Sequence, residues 1–224
     1  MSIKNTLTQL KKELAPYNCQ LIAVSKTKPV SDISEAYDCG QRDFGENKVQ
    51  ELVKKYETLP QDIKWHMIGH LQTNKVRYIA PFIHLIHAVD SVKLLTTINK
   101  EAKKNSRQIN CLLQLHIGDE ESKFGMNEEE LFSVLDQVNS GEFANVNILG
   151  LMGMATNTND ENQISLEFRG LKKLLEKAKN HYHADNLQLQ ELSIGMSSDF
   201  QLALKEGSTM VRIGSSIFGE RSYP

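Results

Sequence analysis

The sequence predicts an α/β protein, a single closed (β/α)8 TIM barrel with an extra N-terminal helix. Two observations predict it. Short apolar runs alternate eight times with polar loops and amphipathic helical patterns along 224 residues, and polar, ionisable residues gather where those runs end. Strands alternating with helices imply parallel pairing, and ~200 residues is the lower size limit of this barrel. An open doubly wound sheet is the rival. It usually carries a glycine fingerprint after its first strand, whereas this first strand runs into Ser25 and Lys26. No Gly/Pro/Ser-rich linker or low-complexity tract interrupts the chain, so 1–224 reads as one domain.

The elements follow in order. Ser2 can cap a first helix whose Ile3, Leu7, Leu10 and Leu14 share one face, and Pro16 ends it. Strands are expected at 21–25, 43–45, 65–69, 85–89, 111–117, 148–152, 191–194 and 210–213. Helical patterns fill 33–39, 49–56, 74–79, 92–103, 128–138, 163–178 and 199–204. Val49, Leu52, Val53 and Tyr56 make a 3.6-period stripe, and Asn127 with Glu130 has capping-box spacing. Pro29 stops the first strand, with Ser31 and Asp32 placed to cap the next helix.

Composition narrows the classes of function. The formal net charge is −2 with both signs interspersed, which advertises neither a nucleic-acid nor a membrane surface. No apolar stretch reaches membrane-spanning length, and the N-terminus lacks a signal-peptide core. Cys19, Cys39 and Cys111 are widely spaced and odd in number, which suggests a reducing, cytoplasmic setting and ordinary thiols.

In a barrel of this kind, active groups sit at the C-terminal strand ends. Those ends carry Lys26, then Glu46 and Asn47, His66, Gly69 and His70, Asp90, Lys123, Ser197 and Ser198, and finally Arg212, Gly214 and Ser215. Lys26 leaves a buried strand with its stem in the core; such desolvation lowers an ammonium pKa, as a Schiff-base lysine requires. Gly195-Met-Ser-Ser198 and Gly214-Ser-Ser216 follow the last two strands. They offer hydroxyls and backbone N–H groups where barrel phosphate sites commonly form, or else are ordinary glycine turns with helix caps. Arg212, inside an apolar run, is expected to face an acceptor in the barrel mouth or a structural ion-pair partner. His66 and His70 straddle a strand end and Gly69, which spoils a shared metal-binding face, so no metal is expected. His84, His87, His181 and His183 read as loop or surface residues. Asp119-Glu-Glu121 reads as a solvated loop. Lys123 beside it is a surface ion-pair partner or a second lysine near the mouth.

These residues also carry a family resemblance. Ala23-Val-Ser-Lys-Thr-Lys-Pro29, Phe44-Gly-Glu-Asn47 with Gln50 and Glu51, and Trp65-His-Met-Ile-Gly-His-Leu-Gln-Thr-Asn-Lys75 resemble motifs of the pyridoxal phosphate homeostasis protein family. So do Lys123-Phe-Gly125, Gly150-Leu-Met-Gly153, Leu192-Ser-Ile-Gly-Met-Ser197, Met210-Val-Arg-Ile-Gly-Ser215 and Ile217-Phe-Gly219, in order over nearly the whole chain. That family is similar to the N-terminal barrel of alanine racemase, the fold type III group of pyridoxal 5′-phosphate proteins. Ser198 and Ile194 depart from the commonest family residues without touching the cofactor motifs.

The resemblance implies that Lys26 forms an internal aldimine with pyridoxal 5′-phosphate, that Ser197, Gly214 and Ser215 hold its phosphate, and that Arg212 faces the pyridine nitrogen. Asn47 and His66 would lie near the ring or its mouth. A guanidinium donating to that nitrogen keeps it unprotonated, a poor electron sink. Alanine racemase adds a tyrosine base from a second domain, for which this chain has no residues beyond Pro224. The expectation is therefore a monomeric carrier that buffers or delivers the cofactor, with amino acids and apo-enzymes as partners. A weak racemase is the first alternative and a Schiff-base aldolase on a phosphosugar the second.

Overall fold

Ser2 does cap the first helix: its hydroxyl accepts from the Asn5 N–H, and α1 (Ile3–Leu14) buries Leu7, Leu10 and Leu14. The structure is a computed structural model and describes residues 2–119 and 124–219. After α1, eight parallel strands close into a barrel in chain order. They are β1 (Gln20–Val24), β2 (Asp43–Glu46), β3 (Lys64–Met67), β4 (Leu85–Val89), β5 (Ile109–Gln114), β6 (Val146–Met152), β7 (Leu187–Met196) and β8 (Met210–Ile213). Closure pairs β8 with β1, setting Ile22 beside Arg212 and Ala23 beside Ile213.

The connecting helices are α2 (Val30–Asp38), α3 (Val49–Thr58), α4 (Val76–Ile79), α5 (Val92–Lys104), α6 (Glu128–Asn139), α7 (Glu161–His181), α8 (Phe200–Lys205) and α9 (Ser215–Phe218). The Asn127–Glu130 capping box forms in full. Elsewhere the boundaries move for local reasons. Pro29, with its fixed φ, takes the capping place of α2, so the helix starts at Val30 and neither Ser31 nor Asp32 caps it. Asp160 caps α7 before the apolar period begins. β7 starts four residues early: buried Leu187 and Leu189 alternate with exposed Gln188 and Gln190, although Leu189 sits at φ 46° and the register with β6 shifts there.

Two cores result. Strand residues facing outward pack under the helices, with Phe44, Trp65, Phe168 and Leu52 among the largest fully buried side chains. Inside the barrel, Ile22, Leu85, Ala88, Leu112, Met152 and Met210 pack together. That inner row also contains polar side chains, buried His66, His87, Gln114, Ser193 and Arg212, all within strands. Burying each without a partner would cost about 1–3 kcal/mol, so their pairing decides what the interior does. Among the described residues, no helix is long and apolar enough to cross a membrane.

Candidate functional site

Lys26 stands where β1 ends, half-buried, between two residues whose backbones are tied down. The buried Lys55 ammonium of α3 donates to the Ser25 carbonyl at 2.8 Å, and the Ser25 hydroxyl donates to Glu46 Oε1 at 2.6 Å. On the other side the Thr27 N–H donates to Glu51 Oε1 at 2.6 Å, in a residue held at φ 65°. Lys55 closes the cluster with ion pairs to Glu46 at 2.8 Å and Glu51 at 2.7 Å. Burial pushes the Glu46 carboxyl up to about 7 despite Lys55 and the Ser25 hydroxyl, and its Oε2 has no partner.

A cavity of about 410 Å³ opens at this end of the barrel. Its wall brings together Lys26, Asn47, Ser197, Arg212, Gly214 and Ser215. The Gly214 N–H donates to Ser197 Oγ at 3.3 Å, which joins the ends of β7 and β8. Gly195 bends β7 there with φ 91°; a Cβ would lie 2.6 Å from that of Ala203, so only glycine fits. Arg212 is 4% exposed. Its Nη1 donates to the Ser193 carbonyl and hydroxyl, each at 2.6 Å, and its Nη2 to the Gly153 carbonyl at 3.0 Å. Its acceptors are thus dipoles of the barrel wall rather than a paired carboxylate. Burial lowers its pKa to about 10, partly opposed by Asp199, which leaves the guanidinium charged at neutral pH. Asn47 Oδ1 is a buried acceptor without a donor.

Sequence reasoning missed several wall and support residues. Lys28 lines the cavity and donates to the Phe218 carbonyl at 2.8 Å, and Gln114 lines it while donating to the Phe124 carbonyl at 2.9 Å. His70, which the sequence does place at a strand end, lines it too, bonded to Asp90 at 2.9 Å and stacked on Phe124. Lys55 carried a signal: it falls on the buried stripe of Val49 and Leu52, where a charge demands a partner.

His66, expected near the ring or its mouth, does not reach the cavity wall. It is fully buried, outside the cavity wall, with Nε2 at 3.1 Å from Asp43 Oδ1 and Nδ1 at 2.9 Å from His87 Nε2. Alternation along β3 puts it inside the barrel but one layer deeper. His87, expected at the surface, lies within β4 at 0% exposure, because its strand position points inward. Asp43, His66 and His84 bring potential metal ligands within 4.8 Å of one another, yet His66 Nε2 is already engaged by Asp43. Lys123, with Glu120 and Glu121, lies outside the described residues.

Comparison with known proteins places the family and the fold. The family model for the alanine racemase N-terminal domain matches residues 1–222. A pyridoxal phosphate homeostasis protein of Aquifex aeolicus is 42% identical over 208 residues, covering 92% of this chain and 89% of its own. The human protein of that name is 38% identical over 233 residues, covering 99% and 83%. Among solved structures, PipY of Synechococcus elongatus with PLP bound superposes with a TM-score of 0.88 at 36% identity, over 97% of this chain and all of that one. An alanine racemase from Bartonella henselae shares the fold at a TM-score of 0.74 and 17% identity, with this chain covering 58% of its length.

Proposed function

This chain belongs to the pyridoxal phosphate homeostasis protein family, and on that premise we propose that it binds pyridoxal 5′-phosphate at Lys26 and buffers or delivers it within vitamin B6 homeostasis. The observation that carries the reading is the cavity wall itself, where Lys26 and Lys28 share the strand ends with a cluster of hydroxyl, amide and guanidinium donors. The wall suits the cofactor on its own terms. Asn47 Oδ1 is an orphaned buried acceptor that a hydroxylated ring can satisfy. At Gly214 a Cβ would lie 3.1 Å from the Val24 carbonyl, which favours a bare backbone at the cradle.

When bound, the cofactor supplies an aldehyde that condenses with a primary amine and releases water. The protein's part is binding and restraint. Lys26 provides the amine, and Glu46, Lys55 and Glu51 fix the backbone on either side of it. Ser197, Gly214 and Ser215 provide hydroxyl and N–H donors for a phosphate, and Arg212 provides a charged donor for the ring nitrogen. His66 belongs to the support beneath Arg212 rather than to the wall.

The reading includes no substantial turnover of its own. The titratable groups among the described wall residues are Lys26, Lys28, His70 and Arg212, and the relatives are named for homeostasis rather than catalysis. It also includes a cytoplasmic monomer made of one domain. Three free cysteines support the compartment. The exposed large apolar residues Tyr17, Val30, Tyr78 and Leu166 fall on separate elements, and Phe124 and Met196 line the cavity, which supports the monomer. The test is an absorbance titration with the cofactor followed by borohydride reduction and peptide mapping. A new band near ~420 nm and a label on Lys26 are expected; a label mainly on Lys28 or Lys123 overturns the assignment.

A further inference from the structure

Below the cavity, four polar side chains span the barrel interior in one line that ends on Arg212. Asp43, the first residue of β2, lies at the opposite end of the barrel from the cavity. Its Oδ1 is 3.1 Å from His66 Nε2, His66 Nδ1 is 2.9 Å from His87 Nε2, and His87 Nδ1 is 2.9 Å from Ser193 Oγ. Ser193 Oγ in turn accepts from Arg212 Nη1 at 2.6 Å. His66, His87 and Ser193 are all at 0% exposure, so no water competes for these bonds.

The two ends fix the direction of every bond. An ionised carboxylate only accepts and a guanidinium only donates. Asp43 therefore requires a proton on His66 Nε2. Burial holds both imidazoles below their ordinary pKa, so His66 is neutral and its Nδ1 is a bare acceptor. His87 must then carry its proton on Nε2 and present a bare Nδ1, to which the Ser193 hydroxyl donates. That donation turns the Ser193 lone pairs toward Arg212. The reverse order would set a bare His66 Nε2 against the Asp43 carboxylate and bring two donors onto Ser193 Oγ.

We infer that Asp43, His66, His87 and Ser193 form one directional hydrogen-bond chain that positions the Arg212 guanidinium for a ligand in the cavity, making Asp43 and both histidines positioning residues. The inference rests on the reading of the cavity as the pyridoxal 5′-phosphate site. Two of the guanidinium's five N–H groups are used by Ser193 and one by the Gly153 carbonyl. Its plane is thereby set, and the donors that remain are aimed by the chain rather than by the ligand. Such pre-orientation raises affinity by removing an ordering cost at binding.

Two measurements test this. The first needs no cofactor: nitrogen NMR of the histidine rings should find His66 and His87 as Nε2–H tautomers at neutral pH. An Nδ1–H form of His87 overturns the stated direction. The second titrates cofactor into Asp43→Ala, His87→Gln and Arg212→Ala proteins and into the double variants. Asp43→Ala, far from the cavity at a half-buried site, should weaken binding about two- to ten-fold, the range of one ordinary hydrogen bond, and shift the absorption band. In the Arg212→Ala background the same change should add nothing. An equal effect in both backgrounds, or no effect beside a weakened Arg212→Ala, refutes positioning even if His87→Gln fails to fold. Should Arg212→Ala leave binding and spectrum untouched, the cofactor reading of Arg212 fails, while the tautomer result still judges the chain.

Discussion

The Lys55 ammonium and the Ser25 carbonyl meet at 2.8 Å, so a buried cation on α3 holds the residue that precedes Lys26. Breaking a buried ion pair by removing one partner leaves the other charge uncompensated. Lys55→Met should therefore cost about 3–5 kcal/mol in a urea melt. The double change Lys55→Met with Glu46→Leu should recover much of it, since both charges then leave together. A single variant as stable as wild type would mean that the cluster contributes nothing to the fold.

Glu46 should give a pH signature. Its folded pKa is about 7, above the 4.5 of an exposed glutamate, so the native state holds this proton more tightly than the unfolded chain. Native stability from this group is present below the unfolded value and is lost as pH rises through the folded one. The difference in unfolding free energy between wild type and Glu46→Gln should fall by ~3 kcal/mol from pH 4.5 to 7, at ~1.4 kcal/mol per unit, and then level. The difference matters because His84, lowered by burial to about 4, drives the whole-protein curve the other way over an overlapping range. A flat difference curve would show Glu46 to be ionised throughout.

Ser197→Ala should separate phosphate from ring. A charge-assisted hydrogen bond is worth ~1.5–3 kcal/mol, or roughly ten- to a hundred-fold in affinity. The variant should bind pyridoxal 5′-phosphate weaker by that factor and bind unphosphorylated pyridoxal as wild type does. Equal losses for both ligands in equilibrium dialysis would move Ser197 away from the phosphate.

With single enantiomers of alanine or serine, the loaded protein should show no sustained turnover while passing cofactor to an apo-enzyme. General acid–base catalysis contributes ~10²–10⁴-fold, and the described wall offers no carboxylate or tyrosine for it, only lysines, Arg212 and a His70 already bonded to Asp90 at 2.9 Å. Chirality and product formation followed over hours provide the check. A rate near ~1 s⁻¹, the lower end for ordinary enzymes, would make this chain an enzyme.

Much of this was legible in the sequence, and the gaps have a common physical origin. β4 and β8 lie where apolar runs placed them, at 85–89 and 210–213. Lys26, Asn47, Ser197, Arg212, Gly214 and Ser215 converge as strand ends in a barrel should. What failed was telling one polar environment from another. Period-2 alternation shows that His87, His66 and Ser193 face away from the helices, but a polar side chain looks the same in sequence whether it meets water or the barrel interior. Lys55 was obscured likewise, since a lysine beside an apolar stripe usually bends its charge outward to solvent. The start of β7 was lost because Leu187 to Gln190 is a half-exposed run, weaker than the apolar core strands.

The pairing of β8 with β1 has a consequence for when the pocket exists. Lys26 follows the first strand and Arg212 lies in the last, and Lys28 reaches across 190 positions of sequence to the Phe218 carbonyl. A ligand held by both strands straddles the seam that closes last in a chain emerging from the ribosome. Cofactor capture thus waits for the entire barrel, and the captured cofactor becomes a clasp on its slowest contact, since distant pairings pay the largest loop-closure entropy. Ligand at a hundred times its Kd would hold that seam shut by ~2.7 kcal/mol. Parting β1 from β8 would strip it of the β8 donors and leave it tied to Lys26 alone.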